Sequence, residues 1–524
     1  MDFLVKSANI PAGRPEPRVA GSSSATGPAL HLEGPNPGSS ALALGILAGI
    51  TSGGALLRFH ALASKTFWFD EGVSVGIAGL DWYNFIRILW RREANMSLYY
   101  LLLRPWLHFG NSESFVRSLS VIFGVATIPA IYFLGRRLFD SHVGLVAAAL
   151  LAVNAYHVRY SQEARCYSLM VLLCVCSSFF FLKSLEAPSR GTRLAHIGFS
   201  SAAVYAHFYS GLMVIAQWIA VPRRDQKFDS DRMTAWRWIA VVISPVVLFV
   251  ATTGAGPLRW IHRPGWKDFE ELGLRLSGNG GWILLLAYGL AATAALIGDP
   301  PKGNQPPTFS KNWRLRFLLL WMLFPVALVF LLSFARPLFL PRYFIVCLPP
   351  LLLLAAAGLS RIRPGWLQIP ALMVFLVFSI QGTRGYYRQD FDLQREQWRS
   401  GSEYLLSHAQ EGDALMFHVA MGRMPYEYYH SLRRTCCSRP VVLYPNHGDR
   451  ISFLDFVEKP DYKKLESAIP AHPRIWLVLS HASEPSGLDL TASSLTKILT
   501  EEGYRQVTTQ NFGGLEIELY GNQK

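Results

Sequence analysis

The residues with the clearest chemical potential are two adjacent carboxylates, Asp70 and Glu71, in the apolar run FWFDEG that begins at Phe67. A carboxylate can remove the proton from a hydroxyl group while that hydroxyl attacks an electrophile, which is general-base chemistry. A single surface acid is usually only solvated, but this pair lies in an aromatic setting and closely follows a long apolar block. We therefore interpret the segment as a candidate catalytic loop.

The composition indicates what kind of protein positions this loop. Of the 524 residues, 51% are hydrophobic and 16% are charged, whereas soluble domains carry about 25% charged residues. The apolar residues form blocks long enough to cross a bilayer, which takes about 20 residues per helix. The net charge of +14 reflects Lys and Arg gathered in short loops between these blocks, as the positive-inside rule requires. No basic stripe with interleaved aromatic residues is present, so nucleic-acid binding is not indicated.

The apolar blocks predict an α-helical polytopic membrane protein with about eleven transmembrane helices. The predicted spans are 41–62, 113–135, 143–160, 165–185, 195–206, 208–221, 234–253, 281–298, 317–334, 343–359 and 366–382. Residues 1–40 are rich in Gly, Pro, Ser and Ala and are predicted to be a disordered cytoplasmic N-terminus. Residues 41–382 then form the membrane domain.

The segment 195–221 decides the topology, because it could be one long helix or two short ones. Basic clusters flank several spans, at 136–137, 183–193, 223–227, 302–316 and 361–363. All of them fall on one side of the membrane only if the chain turns back near His207. We therefore predict two short helices there, with the N-terminus inside and the C-terminus outside. If the segment were one helix, Asp70 and Arg342 would lie on opposite sides.

No Asp or Glu lies within a predicted span, apart from Glu113 at the end of one of them. They collect instead in the outer loops, at Asp70, Glu71, Asp81, Glu93 and Glu163. Ion-coupled transporters usually place acids at mid-membrane depth. The distribution argues against a transporter or flippase of lipid-linked sugars, which stays the alternative function. A membrane scaffold whose working part is its tail is a third interpretation.

The tail from residue 383 to 524 has the pattern of a soluble external α/β domain. Short apolar runs at 414–417, 441–444 and 475–479 alternate with helix-like stretches, and the segments 504–509 and 515–520 predict a terminal hairpin. Before the tail, residues 82–91 place Trp82, Phe85, Ile86, Leu89 and Trp90 at helical spacing. That pattern predicts an amphipathic helix in the membrane interface, with a helix packed on the protein as the alternative.

Seven short motifs occur in a fixed order along the membrane part of the chain. They are WFDE at 68–71, NMSLYY at 95–100, FGNSE at 109–113, RSLS at 117–120, YSQEARCY at 160–167, YAHFY at 205–209 and RPLFLPRY at 336–343. Together they resemble the GT-C glycosyltransferases, in the bacterial family related to protein O-mannosyltransferases and aminoarabinose transferases. The resemblance covers about residues 41–360.

This resemblance implies a GT-C fold and an inverting enzyme of the bacterial cytoplasmic (inner) membrane that takes part in glycosylation of the cell envelope. Its donor would be a polyprenyl-phosphate sugar, and its acceptor a glycan, a lipid or a protein on the outer face. Asp70 matches the first-loop acid of the family and is predicted to be the general base. Glu71 is predicted to orient the sugar or to perturb Asp70.

The leaving group would be a lipid phosphate, whose growing negative charge calls for cationic contacts. Arginine suits this task because its planar guanidinium can bind phosphate through two parallel hydrogen bonds. The predicted donor-binding residues are Arg342, Tyr343, Arg336, Arg165 and His207, with Glu163 and Tyr167 as further site candidates. Alternatives stay open: an arginine at a helix end can anchor in lipid headgroups, His207 can be an ordinary interfacial histidine, and Glu163 can pair with Arg165 as a structural salt bridge.

A divalent cation is a candidate cofactor because some GT-C enzymes use one near the first-loop acid. The sequence spells out no ligand set, however, so no metal site is predicted. The six cysteines show neither metal-ligand spacing nor a disulfide framework.

Overall fold

A computed structural model describes residues 37–221, 230–253, 261–297, 309–389, 395–433, 439–445, 460–481, 483–484 and 487–522. The chain divides into two compact units, Met1–Leu42 and Ala43–Lys524. The predicted disordered N-terminus lies almost wholly outside the described residues. The second unit contains both the apolar helices and the C-terminal sheet.

Twenty α-helices make up most of the described chain. The first ten are α1 (Pro37–Phe59), α2 (Phe69–Gly79), α3 (Trp82–Arg91), α4 (Ser97–Trp106), α5 (Glu113–Leu138), α6 (Ser141–Val153), α7 (Ala155–Ser161), α8 (Tyr167–Glu186), α9 (Arg190–Ala206) and α10 (Ser210–Ala220). The others are α11 (Ser230–Thr253), α12 (Trp266–Leu276), α13 (Gly281–Ile297), α14 (Lys311–Ser333), α15 (Leu348–Leu359), α16 (Gln368–Arg388), α17 (Trp398–His408), α18 (Arg423–Leu432), α19 (Tyr462–Ala468) and α20 (Leu490–Glu501). A 3₁₀ helix at Pro341–Cys347 leads into α15.

The chain is a multi-pass membrane protein. Within its described residues, seven helices are long and apolar enough to cross a bilayer, and the number rises to nine if two bent pairs each count as one span. The bent pairs are α6 with α7, at 62°, and α12 with α13, at 78°. Each of the eleven predicted spans coincides with a helix, but α9 and α10 are short for a crossing. The number eleven therefore stays a prediction.

The predicted turn near His207 is present. His196 Nε2 of α9 lies 3.0 Å from Gln217 Oε1 of α10, and the same glutamine donates to Ser177 and Ser178 of α8. A pair 21 residues apart meets in this way only if the two helices run in opposite directions, since each residue of a helix advances about 1.5 Å. The segment 195–221 is therefore a helical hairpin rather than one helix.

The C-terminal region contains the predicted α/β fold. Its strands are β1 (Ala414–His418), β2 (Val441–Tyr444), β3 (Arg474–Ser480), β4 (Ser483–Glu484), β5 (Gly487–Leu488), β6 (Tyr504–Phe512) and β7 (Leu515–Asn522). Five of them form one sheet in the order β2-β1-β3-β7-β6. The first three strands are parallel, and β7 runs antiparallel to both β3 and β6. All three apolar runs and the terminal hairpin are confirmed as strands.

The sheet region and the first loop share one buried apolar cluster, to which Phe67, Met424 and Tyr428 all belong. The rings of Phe67 and Tyr428 lie 4.8 Å apart. The contact between α18 and α2 is close because Gly72 has no side chain; a Cβ atom there would lie 2.5 Å from Pro425 Cβ. The boundary at residue 383 stays a prediction.

The predicted amphipathic helix is α3, and Asp81 caps its N-terminus by accepting from the Asn84 amide at 3.1 Å. Phe85 and Ile88 are buried, whereas Ile86 and Trp90 are exposed. Exposed large apolar groups suit contact with lipid headgroups, so the interfacial position stays a prediction that fits the helix.

Candidate active site

The predicted base lies between two cations that come from distant loops. Asp70 is in the first turn of α2, where the helix N-terminus favours negative charge. Its Oδ2 atom lies 3.4 Å from a guanidinium nitrogen of Arg165 and 3.7 Å from one of Arg342. Arg165 also donates to the carbonyl of Asp70 and to Ser74 Oγ, at 3.2 and 3.1 Å. The first loop and the Arg342 loop therefore share one face, as the hairpin requires.

The charge state of Asp70 follows from these neighbours. Burial by itself would raise the pKa of the carboxyl, because a charged group loses hydration. Arg165 and Arg342, with smaller contributions from His481 and Arg395, outweigh burial and hold the pKa of Asp70 below its ordinary value. Asp70 is therefore ionised at neutral pH, which is the form that a base needs.

Glu71 is buried next to Asp70 but binds different partners. Its two oxygens accept from Arg117 at 2.8 and 2.7 Å, and Oε1 also accepts from the Ala164 amide at 2.8 Å. Arg117 additionally donates to the carbonyls of Leu62, Lys65 and Thr66. With its carboxylate held in this way, Glu71 ties the first loop to α5 and to the loop before α8. The two roles predicted for Glu71, to orient the sugar or to perturb Asp70, stay predictions.

We expect Glu71→Gln to destabilise the protein by about 3–5 kcal/mol, because it leaves the buried Arg117 guanidinium without its counter-charge. The side chains of this pair are 3% and 0% exposed. Thermal unfolding of the full chain in lipid nanodiscs measures the effect. The control is Lys497→Ala, which breaks a pair that is 73% and 59% exposed and should leave the transition unchanged. Equal transitions for Glu71→Gln and the parent protein would contradict the role given to this pair.

Arg165 and Tyr167 are positioned by the break between α6 and α7. The Arg58 guanidinium donates to the carbonyls of Leu151 and Ala152 in the last turn of α6, where backbone carbonyls lack their usual partner one turn further along a helix. Asn154 then caps α7 by accepting from the His157 amide at 3.0 Å. The chain bends by 62° at this point. The bend directs the segment 161–166 towards the first loop.

Glu163 and Arg165 do not pair with each other through their side chains, contrary to the alternative that the sequence left open. Arg165 pairs with Asp70, whereas Glu163 Oε1 lies 3.2 Å from Arg159 and 2.6 Å from Arg395. Arg395 precedes α17 in the C-terminal region. Glu163 therefore links the membrane part of the site to the α/β region.

Aromatic side chains form the wall of the site beside Arg342. The ring of His207 lies 4.7 Å from that of Tyr343 and 6.1 Å from that of Tyr167. The Arg342 guanidinium lies 5.7 Å from the Tyr343 ring. Burial, together with Arg165 and Arg342, lowers the pKa of His207 to about 3. His207 is therefore neutral at physiological pH and can bind a ligand only through hydrogen bonds.

Several buried polar atoms around these cations have no hydrogen-bond partner within the described part of the chain. They are Trp68 Nε1, Asp70 Oδ2, Arg165 Nε and Tyr167 Oη. Buried polar groups are normally satisfied, so a cluster of exceptions calls for an explanation. Three donors beside one carboxylate oxygen suit a ligand that carries both acceptor oxygens and a hydroxyl group.

Arg336 differs from the other predicted site residues. Its side chain is exposed after the end of α14, and among the hydrogen bonds and ion pairs of the described chain none joins that side chain to Asp70 or Arg342. The alternative role, anchoring in lipid headgroups, fits this position better.

Glu93 is a residue of the site that sequence reasoning recognised only as one of the outer acids. It accepts from Tyr100 Oη at 3.4 Å. Burial raises the pKa of Glu93, and the charge of Asp70 adds to that rise while Arg165 opposes it. Its place just before the motif NMSLYY was the only available signal.

Three further residues of the site come from the C-terminal region and had no signal in the sequence. The Arg395 guanidinium lies 4.3 Å from the Trp68 ring. Glu396 is buried and lies 3.2 Å from His481. The His481 ring in turn lies 4.9 Å from that of Phe69. The α/β region therefore reaches the same loop as Asp70.

No group of three or more His, Cys, Asp or Glu side chains that could hold a metal occurs among the described residues. The candidate divalent cation therefore has no assigned ligand set in that part of the chain.

Comparison with known proteins agrees with this architecture. The family model for dolichyl-phosphate-mannose-protein mannosyltransferase matches residues 99–250, whereas a search of curated proteins finds no match. ArnT from Cupriavidus metallidurans in the apo state is similar in structure, with a TM-score of 0.59 at 12% identity over 92% of this chain and 98% of that one. The same protein bound to undecaprenyl phosphate gives a TM-score of 0.59 at 12% identity over 93% and 98%.

The architecture shared with ArnT extends over nearly the whole chain, sheet region included. Together with the family match over residues 99–250 it identifies this protein as a glycosyltransferase of the GT-C superfamily, as the sequence resemblance implies. The protein is a membrane-embedded enzyme that transfers a sugar.

Proposed function

We propose that this enzyme transfers one sugar, with inversion at the anomeric carbon, from a polyprenyl-phosphate donor to a hydroxyl group on the outer face of the bacterial cytoplasmic membrane. The observation that carries the proposal is the position of Asp70 between Arg165 and Arg342. Such an arrangement places a carboxylate base next to two guanidinium groups that can bind a phosphate. Transfer from a glycosyl phosphate needs both functions in one site.

In this reaction Asp70 takes the proton from the acceptor hydroxyl as its oxygen attacks the anomeric carbon. The new bond joins that oxygen to the anomeric carbon, and the bond from this carbon to the phosphate oxygen breaks. The electron pair leaves with the phosphate, so the products are a glycoside, a free polyprenyl phosphate and a protonated Asp70. Attack from the face opposite the phosphate inverts the anomeric configuration.

Arg342 and Arg165 stabilise the charge that develops on the departing phosphate. The nearby Tyr167 hydroxyl, with Tyr343 and the neutral His207, supplies hydrogen bonds on the same side. Before the donor binds, the two arginines hold the pKa of Asp70 low. A bound phosphate competes for them and raises the proton affinity of Asp70. Binding of the donor therefore activates the base.

The similarity to ArnT bound to undecaprenyl phosphate supports a polyprenyl-phosphate ligand. The topology supports an outer active site, because the basic clusters of the sequence lie on the opposite side of the membrane from Asp70 when 195–221 is a hairpin. Glu71 has a positioning role in this proposal, and Arg336 is not among the donor contacts.

The experiment that tests the proposal is transfer by the full chain in liposomes, with polyprenyl-phosphate sugars as donor and extracts of the cell envelope as acceptor. One polyprenyl phosphate should be released for each glycoside formed. In the profile of kcat/KM for the donor, the acid limb should lie below the ordinary pKa of an aspartate, since the pKa of Asp70 in the free enzyme is lowered by Arg165 and Arg342. In the profile of kcat against pH, the acid limb should lie at higher pH, because the bound phosphate raises the pKa of Asp70.

The variant Arg165→Gln removes a cation that lowers the pKa of Asp70, so the limb in kcat/KM should move to higher pH. The matched control is Arg505→Gln, an exposed arginine on β6, which should leave the limb in place. Movement of lipid-linked sugar across the bilayer without glycoside formation would contradict the proposed reaction.

A further inference from the structure

The sheet of the C-terminal region presents its ligand-binding edge to the first loop. Strand β1 lies between β2 and β3, and the chain passes from β1 to β2 on one side and then to β3 on the other. The strand order therefore reverses between β1 and β3. In parallel α/β sheets, ligands bind in the crevice outside the carboxyl ends of the two strands at such a reversal.

Two histidines and two carboxylates lie at this crevice. His418 ends β1, and His481 directly follows β3. His418 Nε2 lies 3.4 Å from Asp489 Oδ1, and His481 Nε2 lies 3.2 Å from Glu396 Oε1. The Ser480 hydroxyl donates to the carbonyl of His418 at 3.2 Å and joins the two strand ends.

The same crevice adjoins the proposed base. The His481 ring packs edge-on against the Phe69 ring. Phe69 immediately precedes Asp70. The side chain of His481 is 53% exposed although its partner Glu396 is 7% exposed. A fixed carboxylate therefore orients an imidazole whose other edge is accessible beside Asp70.

The backbone of His481 has φ of +54°, which is in the left-handed region that disfavours side chains larger than glycine. A non-glycine residue in this conformation is strained, and such residues cluster at ligand-binding sites. The strain is tolerated where the imidazole is needed.

We propose that the His481–Glu396 pair is the acceptor subsite of the enzyme and that it binds the hydroxyl groups of a neutral glycan. The inference rests on the proposed function. Hydroxyl groups both donate and accept, and so do the groups of a carboxylate–imidazole pair taken together. The carboxylates of Glu396 and Asp489 lie beside the two histidines and disfavour an anionic headgroup at this position, whereas Arg165 and Arg342 contact Asp70. One acceptor hydroxyl held here can face Asp70 while its neighbours bind His481.

The test uses the full chain in liposomes, with polyprenyl-phosphate sugars from a strain that lacks the gene. The acceptor probe is the neutral glycan fraction of that strain's cell envelope, with its anionic lipid and protein fractions assayed in parallel. The variant His481→Gly removes the imidazole and suits the positive φ, so the loss of the side chain is separated from backbone strain. Glu396→Gln is the second variant, and His472→Gly, a half-buried histidine just before the opposite end of β3, is the control.

We expect the apparent KM for the neutral glycan fraction to rise about tenfold in His481→Gly, as the loss of one or two hydrogen bonds predicts. The binding of undecaprenyl phosphate should stay within about twofold, since the donor phosphate is assigned to Arg165 and Arg342 and not to this pair. His472→Gly should match the parent protein. The acceptor subsite would be wrong if the KM were unchanged in both subsite variants. It would also be wrong if only the lipid or protein fraction accepted sugar. Neither result would contradict the proposed transfer reaction. If the parent protein forms no glycoside from any fraction, the proposed function is wrong, and so is the acceptor subsite that rests on it.

Discussion

Asp70→Asn is expected to reduce the rate of glycosyl transfer by about 100- to 10,000-fold, which is the usual contribution of a general base. The asparagine side chain keeps the size of the aspartate but cannot take the proton of the acceptor hydroxyl. It also removes the negative charge beside Arg165 and Arg342, so undecaprenyl phosphate should bind at least as well as before. Transfer rates and undecaprenyl phosphate binding, measured on the same reconstituted protein, separate these effects.

The matched control is Asp81→Asn, the same substitution in the same outer loop. Asp81 caps α3, and asparagine caps helices about as well as aspartate. This variant should keep normal transfer. If Asp70→Asn, stably inserted in the membrane, also transferred sugar at the parent rate, Asp70 would not be the base and another acid of the site, such as Glu93, would have to be tested.

Arg342→Ala is expected to lower kcat for the donor by about 100- to 1,000-fold, in the range found when one contact to a developing anion is removed. The guanidinium lies 3.7 Å from Asp70 and beside Tyr343, where it can reach both the base and the departing phosphate. Because phosphate charge grows in the transition state, kcat should fall more than donor affinity. Steady-state kinetics with the donor varied, and direct binding of undecaprenyl phosphate, measure the two quantities.

A conservative variant and a control sharpen this result. Arg342→Lys keeps the charge but loses the planar, two-pronged donor, so it should restore only part of the rate. Arg388→Ala changes an exposed arginine in the last turn of α16 and should leave the kinetics unchanged. Normal turnover and normal donor affinity in Arg342→Ala would refute the phosphate role and leave Arg165 and Arg395 as the remaining cations of the described site.

The sequence was sufficient for the features that depend on local pattern. Apolar blocks of bilayer length predicted the helices, because a helix in lipid must be apolar over its length. The alternation of apolar runs and turn residues predicted the strands Ala414–His418, Val441–Tyr444 and Arg474–Ser480. The distribution of basic loops predicted the turn at His207, since positive charge sorts loops to one side of a membrane.

The partners within the site were decided by tertiary structure alone. Glu71 and Asp70 are neighbours in one apolar motif, yet Glu71 binds Arg117 and Asp70 faces Arg165 and Arg342. Successive residues of a helix point about 100° apart, so adjacent acids in α2 enter different surroundings. Nothing in the composition of a short motif distinguishes the buried structural carboxylate from the one that faces a ligand.

The contribution of the C-terminal region was likewise absent from the sequence pattern. Arg395 meets Glu163 across 232 positions of the chain, and His481 meets Phe69 across a still longer separation. The first-loop motif with Asp70 was therefore readable from the sequence, while the set of side chains around it was not. Local periodicity determines which segments fold into helices and strands, but only the packing of those segments brings residues so far apart in the chain to one carboxylate.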